Sequence, residues 1–141
     1  LRADPANDKE RTVQTLAIIL AALAAGVHVF IFYLESIAWE SPQARATFGI
    51  TSDAEARHTK PLAFNQGFYN LFLAILALVG AVLLVMEHTV LGASLALAGT
   101  GCMLAAALVL LLSSREHRGA AVKQGIAPLF AVLALVIVLV A

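Results

Sequence analysis

Apolar residues run together four times along this chain, and polar residues are confined mostly to the gaps between the runs. The runs fall near 13–37, 62–86, 90–112 and 122–141. A helix rises about 1.5 Å per residue, so roughly 20 residues cross about 30 Å of hydrocarbon. Each run meets that length. The pattern predicts an all-α, polytopic membrane protein, an antiparallel bundle of four transmembrane helices. The buried core helix of a soluble domain would explain one such run, but a chain of 141 residues cannot bury four. Alternation of polar and apolar positions is missing, which excludes a transmembrane β-barrel.

Composition agrees with that reading. The chain is 61% hydrophobic and 13% charged, where a soluble domain carries about 25% charge. The formal net charge is zero, which leaves no basic footprint for nucleic acid. Residues 1–11 form a polar N-terminal extension with Arg2, Asp4, Asp8, Lys9, Glu10 and Arg11, and residues 12–141 form the membrane domain. The chain begins at Leu1 without a Met. Its first apolar run is too long for a signal-peptide core and lacks a convincing cleavage site, so it is expected to be retained as a span.

Lys and Arg near the span ends set the orientation. An even number of spans places both termini on one side. The 38–61 and 113–121 connections share the other side and hold Arg45, Arg57, Lys60, Arg115 and Arg118, with Lys123 at the mouth of span four. The terminal side has Arg2, Lys9 and Arg11, and no basic residue in its short 87–89 turn. The expectation is a cell-membrane protein with both termini outside and the two larger connections in the cytoplasm. The shortness of Met86-Glu87-His88-Thr89 makes spans two and three antiparallel neighbours.

Within the 38–61 connection, Pro42 marks the end of the first helical region and Phe48-Gly49-Ile50 reads as an apolar touch-down at the interface. Ser52 followed by Glu55 is a capping-box spacing, which predicts a short surface helix from Asp53 to about His58. Pro61 suits the first turn of span two, where a missing N–H costs nothing. The connection reads either as a strap lying on the headgroups or as a lid over a membrane pocket. No internal repeat or low-complexity segment is evident. Cys102, the single cysteine, reads as a small apolar filler within span three.

The candidate chemistry lies in the polar residues of the spans. His28, Phe32, Glu35 and Trp39 fall at offsets that form one stripe on a 3.6-residue helix. His28 sits near mid-span, and Glu35 lies about 10 Å further along the axis, so the two are not a hydrogen-bonded dyad. Span two opens with Asn65-Gln66-Gly67-Phe68-Tyr69-Asn70, whose Gln66, Tyr69 and Asn70 share a face. Span four opens with Lys123-Gln124-Gly125. Glu35, Asn65, Gln66, Tyr69, Asn70 and Gln124 thus converge on one half of the bilayer, where amides need protein partners because hydrocarbon supplies none.

Two readings stand side by side. Amides between helices serve as structural glue, the reading favoured for Asn65 and Gln124, and Glu35 can snorkel or pair with Arg118 or Lys123. The other reading makes His28, Phe32, Glu35, Trp39, Gln66, Tyr69, Asn70 and Gln124 a ligand or proton site. His28 and Glu35 are too few and too far apart for a metal site, so no metal and no cofactor is expected. Gly80, Gly92, Gly99 and Gly101 supply small surfaces for close helix approach. Pro128 frees the Gln124 carbonyl, either at a binding site or as a passive kink.

The segment His28-Val29-Phe30-Ile31-Phe32-Tyr33-Leu34-Glu35, followed by Trp39, resembles the family known as domain of unknown function 1304. The resemblance continues through Phe48-Gly49 and Asn65-Gln66-Gly67-Phe68-Tyr69-Asn70-Leu71-Phe72-Leu73-Ala74, and is echoed by Gln124-Gly125 and Pro128. It runs from about Thr12 onward. It implies a small four-span integral membrane protein of a mainly bacterial family, and it carries over no catalytic residue.

Three functions fit these features. The first is an intramembrane pocket for a small or lipidic ligand, with Phe32, Trp39, Phe68 and Tyr69 as apolar walls and Glu35 with the amides as orienting groups. The second is a proton-coupled small-molecule transporter working as a homodimer, whose glutamates would face a shared cavity. The third is an accessory subunit or assembly factor that buries its polar face in a larger membrane complex. No nucleophile–base arrangement is visible, so no reaction is assigned. The expected partners are membrane lipid, a lipidic or small-molecule ligand, and a second copy or larger complex.

Overall fold

The structure, a computed structural model, describes residues 5–141; Arg2 and Asp4 of the expected polar extension lie outside the described residues. Helix α1 (Pro5–Phe32) passes directly into one π-turn (Tyr33–Ile37). A short α2 (Pro42–Phe48) follows, then three long helices, α3 (Asp53–Val85), α4 (Thr89–Ser113) and α5 (Arg118–Val140). Four of these segments are long and apolar enough to cross a membrane. They form a square. The α1 and α4 helices each pack on both α3 and α5 and barely touch one another across the diagonal. The links between α3 and α4 and between α4 and α5 are short, so neighbours run antiparallel, as the sequence predicts.

What holds the bundle together is the smallness of its inward residues. One core cluster contains Ala17, Ala21, Ala81, Ala93, Ala96, Ala131 and Ala134 with Leu84 and Leu135, and a second joins Ala24, Ala25, Ala74 and Ala77 to Met103. The bulky residues point outward: Leu62, Val90 and Leu112 are each more than 70% exposed. In water this would be inside-out. In lipid it is expected, because acyl chains are as apolar as leucine and helix association rests on close backbone packing. The chain is an integral membrane protein on these grounds. The α3–α4 contact is closest at Gly80 and Gly92, where an added Cβ would come within 2.6 Å of the Gly92 carbonyl oxygen and 2.7 Å of the Leu84 nitrogen respectively.

Residues 5–11 of the polar extension form the opening turns of α1, continuous with the span. Two local expectations about the 38–61 connection are corrected. The Asp53–His58 segment is not a separate surface helix but the start of α3, which runs 33 residues through Pro61. At about 50 Å that helix is longer than the hydrocarbon is thick, so its charged first turns project beyond it. Pro61 removes the N–H that would bond the Arg57 carbonyl, yet the helix persists, and Trp39 is tied to the turn before it: its indole N–H donates to the Ala56 carbonyl (3.1 Å) and to the Thr59 hydroxyl (3.2 Å).

The short helix of the connection is instead α2. Its N-cap is Ser41, whose hydroxyl accepts from the Ala44 N–H (3.1 Å), and Pro42 occupies the first turn, where a missing N–H is harmless. Pro42 therefore begins a helix as well as following one. Gly49 ends it with φ +69°, a left-handed conformation that suits glycine. Ser52 and Glu55 do form the predicted cap. The Ser52 hydroxyl accepts from the Glu55 N–H (3.2 Å), and the Glu55 carboxylate turns back to accept from the N–H and hydroxyl of Thr51 (both 2.9 Å).

Candidate functional site

The π-turn shapes the site. The Ala38 N–H bonds the Tyr33 carbonyl (2.9 Å), five residues back rather than four, so one surplus residue is accommodated at Tyr33–Ile37. The widened turn buries two consecutive side chains, Leu34 at 1% and Glu35 at 9% exposure, where a regular α-helix separates neighbours by about 100°. Opposite the turn, α3 presents Gly67. A Cβ there would collide with the Ser36 hydroxyl and come within 3.0 Å of the Glu35 Cβ, so glycine is what lets the two backbones meet. The Ser36 hydroxyl crosses the contact to donate to the Phe64 carbonyl (2.8 Å).

That approach brings Glu35 to the α3 amide face. One carboxylate oxygen of Glu35, Oε2, accepts from the Asn70 side-chain amide (2.8 Å), and the same amide also reaches its own helix at the Gln66 carbonyl (3.3 Å). Among the described residues the ion pairs are Arg45–Asp53 (2.6 Å) and Lys60–Glu40, so Glu35 is held by an amide and not by Arg118 or Lys123. The Arg118 guanidinium donates instead to the Leu111 carbonyl (3.2 Å).

Glu35 forms part of the wall of a cleft of about 470 Å³ between the π-turn, the connection and α3. Of the residues singled out by sequence, Trp39, Asn65, Gln66 and Tyr69 line it as well, and Asn70 stands behind Glu35. Tyr69 on the cleft wall is 58% exposed. The remaining walls come from Phe48 and Ile50 of the connection and from Glu55, Thr59, Leu62 and Ala63 of α3. These were missed by reading span two from residue 62. With the helix extended back through Pro61 to its Ser52 cap, Glu55, Thr59, Leu62, Gln66 and Tyr69 fall on one face at steps of three and four. Ser36 was missed too, and nothing in the sequence marks the π-turn that places it.

The other candidates lie apart. His28 is 2% exposed, and its Nδ1 donates to the Ala24 carbonyl one turn earlier (2.9 Å), so it is packed within the bundle and does not line the cleft. Phe32 stacks edge-on against Phe68 with ring centroids 5.2 Å apart, bracing α1 against α3. Gln124 does not join Glu35. It lines a second groove, about 630 Å³, on the opposite flank of the π-turn between α1, α2 and α5. Asn65 is exposed on the cleft wall, away from the interhelical role expected of it. Pro128 is buried inside α5, which runs on to Val140.

Chemically the Glu35 cleft offers acceptors. Its ionisable lining groups are the carboxylates of Glu35 and Glu55 and the phenol of Tyr69, beside the amides of Asn65 and Gln66 and the aromatic faces of Trp39 and Phe48. Among the described residues no group of three or more His, Cys, Asp or Glu is placed to hold a metal ion.

No curated protein and no solved structure matches the chain. A family does: residues 22–136 match the one described as "Protein of unknown function (DUF1304)", starting somewhat later than the resemblance read from Thr12, and since the match spans most of the sequence and the whole site, the chain belongs to that family.

Proposed function

We propose that the Glu35 cleft binds an amphipathic small molecule or lipid whose polar group donates hydrogen bonds or carries positive charge. One observation carries the reading: a largely buried carboxylate, held through a single oxygen by Asn70 and without a cationic partner among the described residues, on the wall of an amphipathic cleft. A carboxylate in that position is an expensive thing to keep inside a membrane protein, and such groups mark ligand or ion sites. The cleft also straddles the level at which α3 changes from charged residues (53–60) to apolar ones, with Trp39 at the boundary, as amphiphile binding requires. The position of the Lys and Arg residues supports placing this end in the cytoplasm. A Cys introduced at Asp53 in a Cys102→Ala background would then resist external labelling, while one at Glu87 would be labelled; the reverse result inverts the topology.

The binding test uses a long-chain alkylamine as probe, with an alkyl sulfate of equal length as control. Trp39 is the single tryptophan and lines the cleft, so quenching of its fluorescence by a brominated alkylamine reports occupancy directly. The amine is expected to bind and the sulfate not to. Glu35→Gln keeps the shape, removes the charge, and should weaken amine binding by about tenfold or more. Equal quenching by both probes, or an unchanged affinity in the variant, refutes the reading. Cross-links from the cleft to a different chain in native membranes, with no probe binding, would favour an accessory-subunit role.

A further inference from the structure

From the second groove we infer a separate site for an anionic phospholipid of the leaflet that this end of the bundle meets. The groove holds about 630 Å³, within the range of ligand sites. Its inner wall is Val27, Phe30 and Ile31 of α1 with Leu34 of the π-turn, which together extend about 10 Å along the helix axis. That is a slot for an acyl chain. At the headgroup end the slot is lined by Gln43, Ala46 and Thr47 of α2 and by Lys123 on the first turns of α5.

Charge complementarity decides the occupant. No carboxylate lines this groove among its described residues. Lys123 makes no ion pair among the described residues, whose salt bridges are Arg45–Asp53 and Lys60–Glu40. A free ammonium at the top of an apolar slot, at headgroup depth, matches a phosphate diester carrying an acyl chain. Basic pockets between membrane helices recognise anionic headgroups in this way. The site is independent of the Glu35 cleft and stands if that reading fails.

The test uses the full chain purified in nonionic detergent and titrated with phosphatidylglycerol or with phosphatidylcholine of the same acyl chains, bound lipid being counted by native mass spectrometry. Phosphatidylglycerol should be retained about fivefold better, the contribution of one lysine near an anionic headgroup. Lys123→Gln should erase that preference and Lys123→Arg should keep it. Ala46→Trp, which fills the slot below α2, should lower retention of the anionic lipid with Lys123 intact. The inference is overturned if the wild-type chain does not distinguish the two lipids, if Lys123→Gln leaves the preference unchanged, or if Ala46→Trp has no effect. Displacement of the lipid by excess inorganic phosphate would also overturn it, by showing that the site holds phosphate alone.

Discussion

Two hollows flank the π-turn and share the ring of Phe48, yet they carry opposite charge. Among the described residues, the one between the π-turn and α3 is lined by Glu35 and Glu55 and by no lysine or arginine, and the one between α1 and α5 by Lys123 and by no carboxylate. They differ in construction as well. The acidic cleft depends on a backbone contact, Gly67 against Ser36, and on a side-chain bond, Asn70 to Glu35. The basic groove is a gap between apolar helix faces with one cation at its edge. The comparison teaches that selectivity at a membrane interface can come from which single charge is placed at the rim of an otherwise similar apolar recess. It also says where each hollow is vulnerable.

Gly67→Val attacks the contact that only the acidic cleft needs. Forcing branched carbons against Ser36 and Glu35 should destabilise the bundle by about 1–3 kcal/mol, read by unfolding in mixed micelles. Alkylamine binding should vanish while phosphatidylglycerol retention stays. Loss of both would mean the two hollows are one coupled unit. Asn70→Leu is subtler, because it keeps volume but strands a largely buried carboxylate oxygen. The expected loss is about 1–2 kcal/mol, and Glu35→Leu combined with Asn70→Leu should cost less than the sum of the single changes. Simple additivity would show that the bond contributes nothing.

The smallest effect belongs to an ion pair of the connection that lines neither hollow. The hydrogen bond from Lys60 holds the exposed Glu40 carboxyl below its ordinary range, aided by the charges of Lys60, Arg57 and Arg45. A lowered folded-state pKa gives stability that is present above the unfolded value and lost as pH falls through the folded one. Glu40→Gln should therefore lower the melting temperature slightly at neutral pH. The gap to wild type should close on acidification to below that depressed pKa. A gap independent of pH would remove the ion pair from the account.

The bundle was legible because its signal is repeated. Four apolar runs of sufficient length, a short turn at 86–88 and glycines at Gly80, Gly92 and Gly99 lead to the same packing, and an error of a few residues at an end changes nothing. The site was legible in part. Glu35 and the Gln66/Tyr69/Asn70 face came together because each is a polar group that membrane burial forces toward a partner. The placement of Gln124 failed for a geometric reason: sharing a bilayer half fixes depth, not azimuth, and α5 lies on the other side of α1 from α3. The connection failed because Pro61 reads as the start of a helix, whereas α3 is capped at Ser52 and runs through it. His28 stands out for its polarity, and its Nδ1 bonds its own helix instead of the cleft.

The π-turn can also be viewed as a length polymorphism held inside a helix. A helix with one residue too many for its register rotates everything after it by about 100° unless the surplus is absorbed locally. Here the segment Tyr33–Ile37 absorbs it. Loss of a single codon from that segment would yield a regular helix of the same span, inserted in the same way and packed on the same alanines. Its exit would still carry Trp39 toward Ala56 and Thr59, because the surplus residue and the turn that absorbs it are lost together. A one-residue deletion, harmless to insertion and to the connection beyond, would then cost the helix only its paired burial of Leu34 and Glu35.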